Sequence, residues 1–221
     1  PFCPSLRATR LPWKSLVTLN LARPEWGRAH SRRILSPLTG GVSTVNAKFE
    51  NLFDAGVELG SLVREEHSEL ISDAQIACVM PNGVPVALGV ESVVGVRDLC
   101  GIHLSRTVET VVLDPSFVAD FDAGRVKGRR VILVDDGVET GTAARVCGDW
   151  LKSLGVLELV LAVPVCPRTA MNQLQFLFSS IVTVQAPLGA RSLAWHYKDF
   201  DVIDHESAIA LLDARSKALG Q

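Results

Sequence analysis

The sequence predicts an α/β protein of three layers, a mostly parallel sheet with helices on both faces. Of its 221 residues, 48% are hydrophobic but only 6% are aromatic, so aliphatic side chains supply most of the apolar volume. Strands buried on both faces of a parallel sheet need this aliphatic richness. From residue 48 onward, short apolar runs alternate with segments of helical periodicity, as in right-handed βαβ units.

The predicted elements follow in a regular order. Apolar residues at helical spacing predict a helix over residues 47–71. An apolar run predicts a first strand at 73–80, which stops at a Pro-Asn-Gly turn. Runs of β-branched residues predict strands at 93–96 and 107–113. The remaining predicted elements are strands at 130–135, 157–165 and 180–185 and helices at 142–154, 169–177 and 205–219.

Charge divides the chain at residue 48. Residues 1–47 hold seven Lys or Arg and one acid, a net charge of +6, whereas residues 48–221 carry a net charge of −8. We interpret residues 1–47 as a basic leader outside the folded domain. It is a flexible arm or extraneous upstream sequence, an organelle transit peptide, or a nucleic-acid arm. Residues 48–221 are predicted to form one domain.

Composition also excludes several classes of protein. The overall charge of −2 argues against a dedicated nucleic-acid binder, and no apolar window reaches the length of a membrane helix. The five cysteines form no CxxC pair and no zinc-type cluster with histidine. A reducing, cytoplasmic location is therefore expected, with organelle import by the leader as the lesser alternative.

The most informative segment is VILVDDGVETGTA at residues 131–143. A buried strand delivers Asp135 and Asp136 at its carboxyl end, where parallel sheets bind ligands. A loop of small and hydroxyl residues follows, and then a helix begins, whose free N–H groups favour an anion. Paired carboxylates suit ribose hydroxyls, directly or through Mg²⁺. The segment therefore predicts a site for a ribose 5-phosphate.

Other phosphate and hydrolase motifs are absent. The chain has no Walker A lysine, no Rossmann GxGxxG and no GxSxG nucleophile elbow. Two adjacent acids at a strand end also occur in metal-dependent phosphotransfer domains of the receiver type. That alternative predicts phosphorylation of an aspartate and no binding of a ribose phosphate.

Residues 131–143 resemble the phosphoribosyl pyrophosphate (PRPP) signature of type I phosphoribosyltransferases. Residues 49–59, the MPNGVPVA run at 80–87, residues 159–164 and WHYKDFDVID at 195–204 are similar to a small stand-alone branch of that family. The likeness covers roughly residues 48–215. It implies a phosphoribosyltransferase-like fold with a short hood, the cap that covers the base.

The resemblance also implies roles for individual residues. Asp135 and Asp136 would hold the ribose hydroxyls and Mg²⁺. Arg97 and Arg106 are candidates for pyrophosphate contacts, or else surface arginines that flank a strand. Glu139 would lie near the base as an acid–base group, or else be an exposed loop residue. The residues implied to bind the 5-phosphate are Gly137, Val138, Thr140, Gly141 and Thr142, and those implied to form the pyrophosphate loop are Pro81, Asn82 and Gly83.

The implied reaction is Mg²⁺-dependent transfer of phosphoribosyl from PRPP to a small nitrogenous acceptor, with a nucleobase as one candidate. The partners are PRPP and the acceptor, without nucleic acid or membrane, and a homodimer is one possible assembly. The implied catalysis rests on positioning and on stabilising charge on the pyrophosphate.

Three departures from the family pattern support an alternative, a non-catalytic module that binds PRPP or a nucleotide. The turn at Asn82 lacks the Arg and the second Gly of the related branch. Asp98 stands where the family carries a Lys, and we expect it to face the pyrophosphate. The spans 84–94 and 113–127 are short, so the helix after the first strand and part of the hood are expected to be missing.

Overall fold

The structure, a computed structural model, describes residues 48–107 and 110–220. The leader predicted at residues 1–47 therefore lies outside the described residues. Described residues up to Leu212 belong to one compact unit, and those from Asp213 onward, at the end of the last helix, group outside it.

A five-stranded parallel sheet forms the centre of the larger unit. Four of its strands are almost wholly buried, as the aliphatic composition predicted, and the edge strand β7 is largely half-buried. A separate pair, β3 and β4, is antiparallel. In chain order the strands are β1 (Ala74–Val79), β2 (Leu99–Ile102), β3 (Leu104–Arg106), β4 (Val111–Leu113), β5 (Arg130–Val134), β6 (Glu158–Val165) and β7 (Ser180–Gln185).

Helices cover both faces of the sheet, so the predicted three-layer α/β class is confirmed. One face packs against α5 and α6, and the opposite face against α1 and α3. None of the helices among the described residues is both long and apolar enough to cross a membrane. The helices are α1 (Leu52–Glu66), α2 (Ser68–Ile71), α3 (Gly83–Val94), α4 (Pro115–Asp120), α5 (Thr142–Ser153), α6 (Arg168–Leu174) and α7 (His205–Leu219), with 3₁₀ turns at Ala123–Arg125 and Leu193–His196.

The strand order places a switch point between β1 and β5. The order is β2-β1-β5-β6-β7, so the chain first moves outward from β1 to β2 and then returns to the other side of β1. The connections that leave β1 and β5 therefore diverge to opposite faces and open a crevice at the carboxyl ends of these two strands. Ligands of open parallel sheets bind in such a crevice.

Helices α1 and α3 approach each other through glycines. A Cβ atom added to Gly56 would lie 2.2 Å from the Val86 carbonyl oxygen, and one added to Gly89 would lie 2.3 Å from the Phe53 carbonyl oxygen. These positions accept only glycine without a shift of backbone, because no side-chain rotation can relieve a clash with a carbonyl. The close contact holds α3 beside β1.

The helix expected to be missing after the first strand is present. Residues Gly83–Val94 form α3, and the strand predicted at 93–96 is wrong because Val93 and Val94 end this helix. Gly95 follows at φ 76°, a left-handed C-cap that glycine favours. The strand predicted at 107–113 is β4 over its last three residues only, and Thr107 follows β3.

The expectation that Asp98 faces a pyrophosphate is wrong as well. Asp98 precedes β2, at the amino end of the sheet, whereas the crevice opens at the carboxyl end. Its carboxylate forms ion pairs with Arg129 and with Arg125, the latter at 3.3 Å. We call Asp98, Arg125 and Arg129 the amino-end cluster.

Candidate functional site

A pocket of about 460 Å³ occupies the crevice at the carboxyl ends of β1 and β5. Its wall comes from four parts of the chain: the turn after β1, the β3–β4 hairpin, the segment between β5 and the start of α5, and residues 192–202 near the carboxyl terminus. The strand order alone predicts a ligand site at this position, and the side chains that line the pocket determine which ligand chemistry it suits.

Two adjacent carboxylates, the buried Asp135 and the half-buried Asp136, form the floor of the pocket. Asp135 is only 6% exposed, and its Oδ1 atom accepts a hydrogen bond from the Asp136 N–H at 2.8 Å. Burial raises the pKa of Asp135 well above its usual range, and the charge of Asp136 raises it further. Burial also raises the pKa of Asp136, while hydrogen bonding by Asn82 acts in the opposite direction. Such an acid pair favours the binding of hydroxyl groups, which donate hydrogen bonds to the carboxylates, or of a cation, which neutralises their charge.

The turn after β1 brings Asn82 against the acid pair. The Met80–Pro81 peptide bond is cis, and Asn82 directly precedes the first residue of α3. Asn82 Nδ2 donates to Asp136 Oδ2 at 3.0 Å. Gly83 does not line the pocket: a Cβ atom there would lie 3.1 Å from the Val134 carbonyl oxygen, so this glycine lets α3 begin against the end of β5.

The loop between β5 and α5 has the shape of an anion site. Gly137 adopts φ 151° and Gly141 φ 82°, both in the region that favours glycine. Gly141 is the N-cap of α5, and the first residues of that twelve-residue helix line the pocket. The Thr140 and Thr142 side chains are exposed with their hydroxyls 3.1 Å apart. Free N–H groups at the helix start and two hydroxyls converge on one side of the pocket.

Glu139 lies on the same loop with its carboxylate held in place. Glu139 Oε1 accepts a hydrogen bond from the Leu193 N–H at 2.9 Å. The two alternatives given by the sequence were an acid–base group near the base and an exposed loop acid. The residue is exposed, lines the pocket and is tied to the backbone of residue 193.

Residues 192–203, which we call the C-terminal wall, close one side of the pocket. Tyr197 is 2% exposed and donates its hydroxyl to the Asp136 carbonyl at 2.6 Å. Its ring packs between Phe49 and Phe200, with centroid distances of 5.3 and 5.1 Å. The Ile203 N–H donates to Asn82 Oδ1 at 3.1 Å. The C-terminal wall is thus hydrogen-bonded to the loops that carry the acids.

The β3–β4 hairpin supplies Arg106 and Val111 to the opposite side and corresponds to the short hood implied by the resemblance. The charge of Arg106 lowers the pKa of both Asp135 and Asp136, against the stronger effect of burial. Arg97 does not line the pocket: it precedes β2, at the amino end of the sheet beside Asp98.

The structure brings together every predicted site residue except Arg97 and Gly83. The sequence did not assign the C-terminal wall to the site, although residues 195–204 were part of the resemblance. Met80, Val111, Ala143 and Ala144, which also line the pocket, were not predicted as site residues. The predicted residues that line the pocket are Pro81, Asn82, Arg106, Asp135, Asp136, Gly137, Val138, Glu139, Thr140, Gly141 and Thr142.

The chain is similar to proteins named as phosphoribosyl transferases. It is 27% identical over 86 residues to "Putative phosphoribosyl transferase" proteins of two Mycobacterium tuberculosis strains. The match covers 39% of this chain and 19% of each relative, so the chain spans about a fifth of the curated relatives' length. The likeness is to phosphoribosyl transferases in general, and the stand-alone branch stays a prediction. No protein-family model matches the chain.

A solved structure shares the fold. The protein TT1426 of Thermus thermophilus superposes with a TM-score of 0.60 at 22% identity, covering 75% of this chain and 97% of that one. The purine phosphoribosyltransferase of Pyrococcus horikoshii aligns at 20% identity over 69% of this chain and 93% of its own, with a TM-score of 0.47. TT1426 shows that the α/β architecture recurs in a solved structure of nearly the same extent.

Proposed function

We propose that this protein is a phosphoribosyltransferase that transfers phosphoribosyl from PRPP to a small nitrogenous acceptor and releases pyrophosphate. The observation that carries the proposal is the acid pair of buried Asp135 and half-buried Asp136, set between the amino ends of α3 and α5 at the switch point of the sheet. A ligand with a diol between two phosphate groups matches two carboxylates between two helix N-termini. The likeness to proteins named phosphoribosyl transferases supports the same reading.

Each part of the pocket has a task in this reaction. The acid pair accepts hydrogen bonds from the ribose hydroxyls, and the loop from Gly137 to Thr142 binds the 5-phosphate. The bond from ribose C1 to pyrophosphate oxygen breaks with its electron pair going to pyrophosphate, while a bond forms between C1 and the acceptor nitrogen. Arg106 stabilises the charge on the leaving pyrophosphate. Glu139, at the edge of the pocket, is placed to take the proton that the acceptor nitrogen loses.

The residues present fit a magnesium ion that is shared with the substrate. No group of three or more metal-ligating side chains occurs among residues 48–107 and 110–220, so these residues build no cage of their own. Mg²⁺ in phosphate chemistry is bound through one or two carboxylates plus substrate phosphates, which Asp135 and Asp136 can supply. The ion would neutralise charge on pyrophosphate and on the acid pair.

A second function, binding of PRPP or a nucleotide without transfer, is favoured by one observation. Within the described residues the pocket lining contains three carboxylates, Asp135, Asp136 and Glu139, but a single basic side chain, Arg106. A leaving pyrophosphate accumulates negative charge, and few cations here stabilise it.

Calorimetry with PRPP and Mg²⁺, followed by pyrophosphate release over a panel of nitrogenous bases, separates the two functions. Release with any base supports the transferase, and binding without release throughout the panel supports the binding module. Asp135→Asn combined with Asp136→Asn is expected to weaken PRPP binding by about 100-fold, because two charged hydrogen-bond acceptors are lost. The matched control is Asp149→Asn, an exposed acid of α5 outside the pocket. Unchanged affinity in the double variant contradicts both functions.

A further inference from the structure

The Asn82 side chain bridges the acid pair and the C-terminal wall. Its Nδ2 donates to Asp136 Oδ2 at 3.0 Å, and its Oδ1 accepts from the Ile203 N–H at 3.1 Å. The amide nitrogen donates one hydrogen bond and the amide oxygen accepts the other, so both bonds require the same orientation of the side chain. Residues 82, 136 and 203 come from distant parts of the chain and meet at this one side chain.

The C-terminal wall also contacts Asp136 directly, through Tyr197. The Tyr197 hydroxyl donates to the Asp136 carbonyl, while Asn82 engages the Asp136 carboxylate. Phe200 and Val202, which lie between Tyr197 and Ile203 in sequence, line the pocket. A change at the Asp136 carboxylate therefore has a direct hydrogen-bonded route to the wall beside the ligand.

We propose that Asn82 is a positioning residue that couples ligand binding at Asp136 to Val202 and Ile203, at the end of the C-terminal wall that Asn82 contacts. The proposal rests on the proposed function, because PRPP is taken as the ligand that engages Asp136. When ribose hydroxyls or a cation bind the Asp136 carboxylate, its hydrogen bond with the Asn82 N–H becomes weaker. The amide then shifts, and its other end carries the shift to Ile203 and the neighbouring Val202.

The chemistry of asparagine suits this task, because its amide carries both a donor and an acceptor. An arginine at position 82 has donors but no acceptor, so it could not receive the Ile203 N–H. Aspartate keeps an acceptor for Ile203 but has no donor for Asp136, and leucine has neither.

Amide hydrogen exchange at Ile203, followed by NMR, tests the coupling. In the ligand-free protein, Asn82→Leu is expected to speed exchange at Ile203 by about 5- to 10-fold, since one hydrogen bond is lost. Asn82→Asp retains the acceptor and is expected to leave Ile203 within about 2-fold. The Leu193 N–H, which donates to Glu139, is the internal control and should not change in either variant. Equal loss of protection at Leu193 contradicts the proposal, because it shows general loosening.

A second measurement separates coupling from a merely structural role. Saturating PRPP with Mg²⁺ is expected to change exchange at Ile203 in the wild-type protein more than at Leu193, and Asn82→Asp should lose this response. PRPP binding, seen by calorimetry, without any response at Ile203 overturns the coupling and leaves the proposed function intact. An equal response in the wild-type and Asn82→Asp proteins also overturns the coupling. Absence of PRPP binding to the wild-type protein overturns the proposed function and the coupling with it.

Discussion

Asp135 shows at the scale of one residue how a binding group opposes the stability of the fold. Its carboxyl is 6% exposed and lies beside a second acid. Burial, followed by the charge of Asp136, raises its pKa well above the unfolded value of about 3.9. The folded state therefore binds a proton more readily than the unfolded chain. This acid therefore destabilises the ligand-free protein at neutral pH.

Replacing Asp135 by Asn is expected to raise the thermal stability of the ligand-free protein at pH 7 while weakening PRPP binding. The amide keeps an oxygen for the Asp136 N–H and removes the buried charge. The stability advantage is largest above the folded pKa of Asp135 and shrinks as the pH falls through it toward about 3.9, where the wild-type carboxyl is protonated in the folded state. Calorimetric melting of both proteins between pH 5 and about pH 8 measures this difference. A difference independent of pH would contradict it.

Tyr197 is the second residue whose role is local and measurable. Tyr197→Phe removes the donor to the Asp136 carbonyl but keeps the ring that packs on Phe49 and Phe200. Leaving that carbonyl without its donor is expected to lower the free energy of unfolding by about 1.5 kcal/mol. Denaturant titration measures the change. Trp195→Phe, at a side chain 66% exposed, is the control and should stay within about 0.5 kcal/mol of wild type.

At the scale of elements, α3 explains why sequence patterns misplaced a strand. Ten of its twelve residues are buried, because it packs between α1 and β1. A helix that is apolar on all sides has no amphipathic period, and its last residues, Val93 and Val94, look like a strand. The amphipathic α5, with exposed polar residues on one side, was predicted to within one residue of its observed end.

The glycine contact between α1 and α3 gives a prediction whose sign is unusual. Alanine in place of glycine inside a helix normally stabilises by about 1 kcal/mol. At Gly89 the added Cβ would lie 2.3 Å from the Phe53 carbonyl oxygen, and overpacking of this kind costs about 1–3 kcal/mol. Gly89→Ala is therefore expected to destabilise by about 1–2 kcal/mol in denaturant titrations. Gly189→Ala, where a Cβ meets nothing within 4 Å, should be nearly neutral; comparable losses at both positions would refute the packing explanation.

At the scale of the molecule, the part of the site that is contiguous in sequence could be predicted. The part that brings together residues distant in sequence could not. Residues 135–142 form one motif, so their chemistry could be recognised from the order of residue types. The Asn82 bridge joins residues 54 and 121 positions apart. Such contacts depend on how the C-terminal wall returns to the sheet, and neither periodicity nor motif spacing carries that information. Asp98 was misjudged for a local reason: a strand was predicted at 93–96, whereas Asp98 precedes β2 and so lies at the amino end of the parallel sheet.

The two ends of the sheet therefore have separate tasks, and Asp98 tests that division. Asp98→Lys introduces the residue that the family carries at this position, but it places a cation beside Arg125 and Arg129 at the end opposite the pocket. We expect it to lower the free energy of unfolding by about 1 kcal/mol, since two partly exposed ion pairs become repulsive contacts. PRPP affinity, measured by calorimetry at one fixed salt concentration, should stay within about 2-fold of wild type, because the amino-end cluster lies outside the pocket. A gain in affinity or in pyrophosphate release would instead place position 98 in the site.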